Sequence, residues 1–348
     1  QQKKVSMTSS VGVIKSDAIN LNAKSTVTSL QGLAPGLTIV DYGGAPGRNT
    51  TTMRVRGVTS LNDDSNDALI LVDGIEQRLE DLNPADIENI SILKDASATS
   101  IYGSRAANGV ILVTTKRGKS GKVQINYNYY YGFQKAMNNP KHMESEAYMR
   151  QQIVAYQNAG KTGDQIPYNE EYIQEWKNAT DREKYPYANV WQDVLFETAP
   201  QQNHSFSVSG GSEKFKGLMS VRYYKQDGII PNFESNTKDF RVNTDFNPLQ
   251  GLTLSLDADY RSTYSLQPSE AGEVFRTIYH ASQFTVPVYS DGSYGLSKQG
   301  NNPLMYATMS GDDKKWKDLF VGNLKASYTF KDFTANFQYA LRYANNKD

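Results

Sequence analysis

The sequence predicts a transmembrane antiparallel β-barrel, present in part as about seven strands, behind an N-terminal mixed α/β domain. Three observations carry this. From Val123 onward, apolar and polar residues alternate with a period of two, the mark of strands with one greasy and one wet face. The connections between these segments run alternately long and short, as they do where membrane barrels turn tightly on one side and loop out on the other. The 23 Tyr and 13 Phe suit the aromatic girdles at a barrel's two interfaces.

A mean hydropathy of -0.60 is compatible with this, because only every second residue of such a strand faces lipid. No run of about 18 apolar residues exists, so a transmembrane helix is excluded. Lys and Arg total 37, and Asp and Glu total 37, a balance that argues against a nucleic-acid partner. Cysteine is absent, which removes disulfides and thiolate chemistry. The His residues, 142, 204 and 280, are scattered, which disfavours a His-based metal site. No Ser-His-Asp set, paired catalytic carboxylates or zinc spacing stands out, so the expectation is neither enzyme, metal nor cofactor.

The chain is expected to divide near Gly121, into residues 1–121 and 122–348. In the first part, a short helix begins near Thr26 with Ser25 as its N-cap, and Ala34-Pro35-Gly36 breaks it before a strand. "TMRVRG" and "ALILVDG" read as strands. Asn83 is an N-cap with Pro84 at the first helical position, and a strand starts at Ile87. Asp95 caps a helix over 96–102, which Gly103 ends, and Val110 to Thr115 form the last strand. Its apolar run "GVILV" is too short to span lipid and fits a buried strand.

In the second part, alternating segments are read over 123–133 ("VQINYNYYYGF"), 204–210, 215–225, 238–247, 252–264, 320–330 and 333–343, each about 10 residues and long enough to cross a bilayer when tilted. The connections are 134–203, 211–213, 227–236, 248–251, 265–318 and 331–332, the long ones at 134–203 and 265–318 being outward loops. A soluble β-sandwich also alternates but rarely keeps loops of this length on one side. Seven strands leave an open edge, which lipid does not tolerate, so the chain is expected to be one piece of a longer barrel. Asp239, Arg241, Asp245, Asp257, Asp259 and Arg261 fall on the lumen faces.

"LKDASATSIYGSRAANGVILVTTKRGKSGK" resembles the end of the plug domain of TonB-dependent outer-membrane transporters of the SusC/RagA subfamily. "LQGLAPGLTIVDYGGAPG", "MRVRGVTSLNDDSNDALILVDG" and "LNPADIENISILKDASATSIYG" match the same plug in order, and "NHSFSVSGGSEKFKGLMSVRYYKQDGII" resembles the family's second and third barrel strands. The resemblance implies a plug inside a barrel of roughly 22 strands, of which about a third is here. It implies energised import of a large nutrient, an oligosaccharide before a peptide, across the bacterial outer membrane. Its implied partners are a SusD-like surface lipoprotein as lid, TonB acting on a segment upstream of residue 1, and a dimer of transporter–lid pairs. A siderophore or cobalamin receptor fits the plug signature less well. A structural, adhesive or signalling barrel is the rival from another class.

Candidate cargo contacts lie in two loops of the plug apex. "LNDDSND" offers Asn62, Asp63, Asp64, Asn66 and Asp67, whose carboxylates and amides can hydrogen-bond sugar hydroxyls or peptide backbone; it lacks the glycine and final Glu of an EF-hand loop. "DYGGAPGRN" offers Tyr42 and Arg48 and lacks the Lys-Ser/Thr ending of a phosphate loop. Lys94, Asp95, Arg105 and Lys116 are expected to pair with barrel-wall charges. Tyr148, Tyr156, Tyr172 and Trp176, in the first long loop, would build that loop's own core or meet a partner.

Overall fold

The computed structural model describes residues 11–21, 23, 25–41, 43–47, 51–55, 67–94, 99–137, 143–188, 191–297 and 300–348. In the N-terminal part, β1 (Val11–Lys15), β4 (Leu69–Val72), β5 (Ile75–Glu76), β6 (Ile87–Leu93) and β7 (Val110–Thr115) form a five-stranded sheet in the order β1-β6-β7-β4-β5. Only β4 and β7 run parallel. A separate ribbon pairs β2 (Leu37–Asp41) with β3 (Thr51–Val55). The helix α1 (Thr26–Ser29) starts at Ser25, whose hydroxyl accepts from the Thr28 N–H at 3.3 Å. Thr26 donates to the Leu82 carbonyl at 2.6 Å, which ties the helix to the core of Val27, Leu30, Val55, Leu79, Ile90, Ile92 and Ile111.

The Asn83 side chain accepts from the Ala85 N–H and Pro84 opens the turn that follows, but that turn is a 3-10 turn over Pro84–Asp86. Of the helix expected over 96–102, Thr99 is α-helical and Ser100–Tyr102 tightens into a 3-10 turn; Asp95 and residues 96–98 lie outside the described residues. Gly103 ends it at φ +71°, a conformation that costs glycine least.

The rest of the chain builds one antiparallel sheet of seven strands in sequence order. These are β8 (Gly121–Gln134), β9 (Ala199–Gly211), β10 (Phe215–Asp227), β11 (Glu234–Leu249), β12 (Leu252–Pro268), β13 (Asp312–Phe330) and β14 (Phe333–Lys347). They are 13 to 19 residues long, longer than the segments read from alternation. The extra length lies mostly at the long-loop end. There "DDKKWKD" continues the β13 ladder with Asp312 to Lys315 paired to β12. Backbone pairing needs no apolar face, so alternation stops where both faces meet water while the hydrogen bonds go on.

The sheet's burial is inverted relative to a water-soluble fold. Tyr127, Phe206, Val221, Phe240, Tyr260, Phe320 and Tyr343 stand in one register row across all seven strands, and all are exposed. One residue along, Arg222, Asp239 and Arg261 are opposite one another and buried. Apolar out and charged in is the pattern of a wall between lipid and a polar lumen. A sandwich would have put that aromatic row between two sheets. The connections 135–198 and 269–311 are long, and 228–233 is intermediate, on one side; the turns at 212–214, 250–251 and 331–332 are short on the other.

The first long connection carries α2 (Ser145–Asn158), α3 (Glu170–Asn178) and α4 (Trp191–Leu195), and the second carries α5 (Ala271–His280) and α6 (Pro303–Met309). Met149, Ile173 and Trp176 form a small core with Tyr168 and Tyr172 around it, and Tyr148 stacks on Phe284 of the second connection with ring centroids 5.5 Å apart. Burial pushes the Tyr168 hydroxyl up to about 12. Trp191, Val274, Ile278 and Phe233 form a second core that unites the two connections with the β10–β11 hairpin.

Candidate functional site: the charged seam between plug and wall

The inner face of the seven-stranded sheet carries charge because a folded domain, not lipid, lies against it. Arg241 stands between two carboxylates, 3.4 Å from Asp86 of the N-terminal domain and 3.1 Å from Asp259 of the wall. Burial pushes the Asp86 carboxyl above its usual range, and Arg241 opposes that shift. Arg261 donates to Asp239 and to the Glu80 carbonyl. Lys317 meets Asp81 at 2.9 Å. Arg117, in the linker to the wall, donates through Nη1 to Asp245 at 2.8 Å and through Nη2 to both oxygens of Asp257 at 2.8 and 2.7 Å, so one guanidinium holds two wall carboxylates by charge-assisted hydrogen bonds.

Neutral groups complete the seam. Asn243 donates to the Thr115 hydroxyl at 3.0 Å and the Lys116 carbonyl at 2.8 Å. Asp73 and Gly74, at φ +49° and +89°, make the two-residue turn from β4 to β5. The Asp73 carboxylate accepts from the Thr115 hydroxyl at 2.6 Å, while its carbonyl accepts from Lys325 at 2.6 Å. Such contacts satisfy buried polar groups without a dry interface.

The cations expected to do this pairing do something else. Arg105 bonds Glu76 within its own domain at 2.6 Å, Lys94 donates to the Pro35 carbonyl, and Lys116 donates to the Ala85 carbonyl at 2.8 Å. All three are held by their own domain's backbone or side chains. Asp81, Asp86 and Arg117 make the charged contacts instead. The lumen positions of Asp239, Arg241, Asp257, Asp259 and Arg261 are buried, and Asp245 is half-buried.

Of the expected cargo contacts, Tyr42, Arg48, Asn62, Asp63, Asp64 and Asn66 lie outside the described residues. Asp67 is exposed at a cavity of about 660 Å³ shared with Met53, Arg78, Glu80 and Arg342. The loop Gly43–Gly47 reaches the long-connection end of the wall. A side chain at Gly47 would come within 2.7 Å of Ser265, so only glycine allows that approach. Ala45 packs against the core of the two long connections. Between this loop and Phe233, Phe275 and Ile278 lies an apolar cavity of about 630 Å³. A second, polar cavity of about 200 Å³ lies between Asp81, Glu80 and the wall residues Arg222, Tyr224 and Arg261. Sequence reasoning did not single out Arg222, although its place opposite Val221 and Tyr223 in the alternation already turns it to the lumen.

Comparison with known proteins agrees with this architecture. Residues 3–110 match the model of the TonB-dependent Receptor Plug Domain. TonB-dependent receptor P26 of Formosa agariphila is 33% identical over 344 residues, which cover 94% of this chain and 32% of that protein. TonB-dependent receptor SusC of Bacteroides thetaiotaomicron is 30% identical, covering 95% of this chain and 34% of that protein. The chain thus spans about a third of the length of these relatives. The solved RagAB peptide transporter shares the fold, with a TM-score of 0.78 and 22% identity over 97% of this chain and 41% of that one. The plug match, the relatives along nearly the whole chain and the common plug-in-wall fold place this chain in the TonB-dependent receptor family, as a member of its SusC/RagA type.

Proposed function

We propose that this chain supplies the plug and the first wall strands of an outer-membrane importer that takes up an oligosaccharide under the drive of TonB. The observation that carries this reading is the seam itself. A domain with its own apolar core fills the lumen side of a lipid-facing wall and is held there by ion pairs such as Asp86–Arg241 and Asp81–Lys317. A polar contact of this kind can be broken and remade piecewise once movement of the plug admits water, because water can then replace each lost partner. A dry apolar contact would have to be opened at full hydrophobic cost. TonB would pull on chain upstream of the plug, and a SusD-like lipoprotein would close over the outward connections, whose two cores present folded surfaces around α2, α3 and α5.

The test is uptake of a fluorescent oligosaccharide panel, with a peptide panel beside it, in cells that express the full-length protein with its lid lipoprotein. Uptake of an oligosaccharide that stops when TonB is deleted, and falls when the lid is deleted, supports the reading. Peptide uptake in its place would assign a peptide importer. Uptake of neither, with a phenotype in adhesion or signalling, would defeat import.

A further inference from the structure

The geometry points to a subsite for an acidic sugar in the polar cavity between the plug and β10–β12. We propose that Arg222 receives the carboxylate of a uronic acid unit in the cargo while Asp81 accepts a hydrogen bond from one of its hydroxyls. The inference rests on the import reading above and narrows its cargo.

Arg222 is 4% exposed. Its Nε donates to Asn203 at 2.9 Å and its Nη1 lies 3.5 Å from Asp239, while its Nη2 has no hydrogen-bond partner among the described residues. Asp239 is already engaged by Arg261, so two guanidiniums share one carboxylate. The next carboxylate on the wall, Asp259, belongs to Arg241. The guanidinium is held in place by the Tyr224 ring, 4.9 Å away. A buried donor left unmade costs roughly 1–3 kcal/mol, and a carboxylate is the group whose two oxygens match a guanidinium edge.

Across the same cavity stands Asp81, 5% exposed. Its Oδ1 takes the Lys317 ammonium at 2.9 Å, while its Oδ2 has no hydrogen-bond partner among the described residues. Arg342 is 4.0 Å from that oxygen, beyond hydrogen-bond reach. Arg222 and Asp81 both line the cavity of about 200 Å³, which has room for one sugar ring, so a ring that enters it meets two residues that each hold a buried polar atom without a hydrogen-bond partner among the described residues. Hydroxyls of Ser25, Ser235, Thr237 and Thr263 line it together with Gln226 and the charged Arg78, Glu80, Arg261 and Lys317, and its aliphatic lining is Ala45 and Leu82. A neutral sugar leaves the guanidinium unanswered. An acidic peptide answers it but finds little apolar surface for neighbouring side chains.

The experiment titrates the purified full-length transporter with methyl glucuronide, methyl glucoside and N-acetylglutamate, read by saturation-transfer NMR. The glucuronide is expected to bind saturably and the glucoside to bind at least about 10-fold more weakly, the lower end of what a charge-assisted hydrogen bond contributes. R222M should weaken glucuronide binding by a similar factor. R222K keeps the charge and guards against misfolding; it should weaken binding less than R222M and leave the melting temperature near the parent's. D81N should reduce discrimination between glucuronide and its deoxy analogues. Equal binding of glucoside and glucuronide, parent-like binding by both Arg222 variants, or tighter binding of N-acetylglutamate would overturn the subsite. TonB-dependent uptake of neutral oligosaccharides would survive that result, whereas TonB-independent uptake would sink the import reading alone.

Discussion

Arg241 of the wall lies 3.4 Å from Asp86 of the plug, and each is no more than 4% exposed. The pair crosses from one domain to the other within a single chain. Its neighbour Asp259 is 3.1 Å from the same guanidinium, so Arg241 couples the plug to a wall that is itself cross-paired. Buried ion pairs of this sort add little net stability, but removing one partner is expensive, because the other stays buried and charged.

Arg241→Met should therefore destabilise the plug–wall contact by roughly 3–5 kcal/mol, while R241M combined with D86N should recover a large part of that loss. Thermal unfolding of the detergent-solubilised protein, as a double-mutant cycle, checks this. Additive effects would mean that the two groups are not coupled.

Arg117 should act at the other end of the plug. Its contacts with Asp245 and Asp257 fasten the linker that follows β7. Arg117→Gln should speed hydrogen exchange over residues 110–121 by about one order of magnitude, the effect of roughly 1.5 kcal/mol from a charged hydrogen bond. Exchange in the separate β2–β3 ribbon is expected to stay as it was.

The lipid face gives a third expectation. Phe240 stands in the exposed aromatic row, so Phe240→Arg should cost about 2–4 kcal/mol at the bilayer midplane. Folding into vesicles, followed by the gel shift of folded barrels, measures it. Substitution of the neighbouring inward position Asn243 by Asp should leave vesicle insertion intact and act on the seam.

The outward connection should respond to acid. Lys177 first, and Arg150 second, hold the half-buried Glu146 carboxyl below its usual range; the Lys177 contact joins α2 to α3, and the Arg150 contact lies within α2. A lowered carboxyl stabilises the folded loop above its ordinary pKa, near pH 4.5, and that contribution is lost as pH falls through the lowered value. Trp176, buried in the same small core, should shift its emission to the red as the pH falls below about 4.5. Glu146→Gln should abolish the part of that transition that depends on pairing.

Much of the wall could be read in advance because a lipid-facing strand has to repeat with period two. Phe240, Val242 and Phe246 announce one face, and Asp239, Arg241 and Asn243 the other. What could not be read is which partner each inward charge meets. Asp86 and Arg241, or Arg117 and Asp257, are joined across more than a hundred residues by the way the plug sits, and nothing local in either stretch encodes the other. Local grammar also misjudged helix type. The Asn83-Pro84 start is real, but Ile87 leaves at once for β6, so the turn never lengthens into an α-helix. Strand ends were underestimated for the reason seen in "DDKKWKD": the ladder there outlasts the greasy face.

The inverted burial of this wall reverses how a sequence variant should be judged. At Val221 or Tyr260 a change from greasy to charged is the damaging one, whereas at Arg222 or Asp257 the damage comes from the opposite exchange. Conservation scales and substitution tables trained on water-soluble proteins would assign both with the wrong sign, and a tolerance map of β8 to β14 would read like the photographic negative of an ordinary sheet.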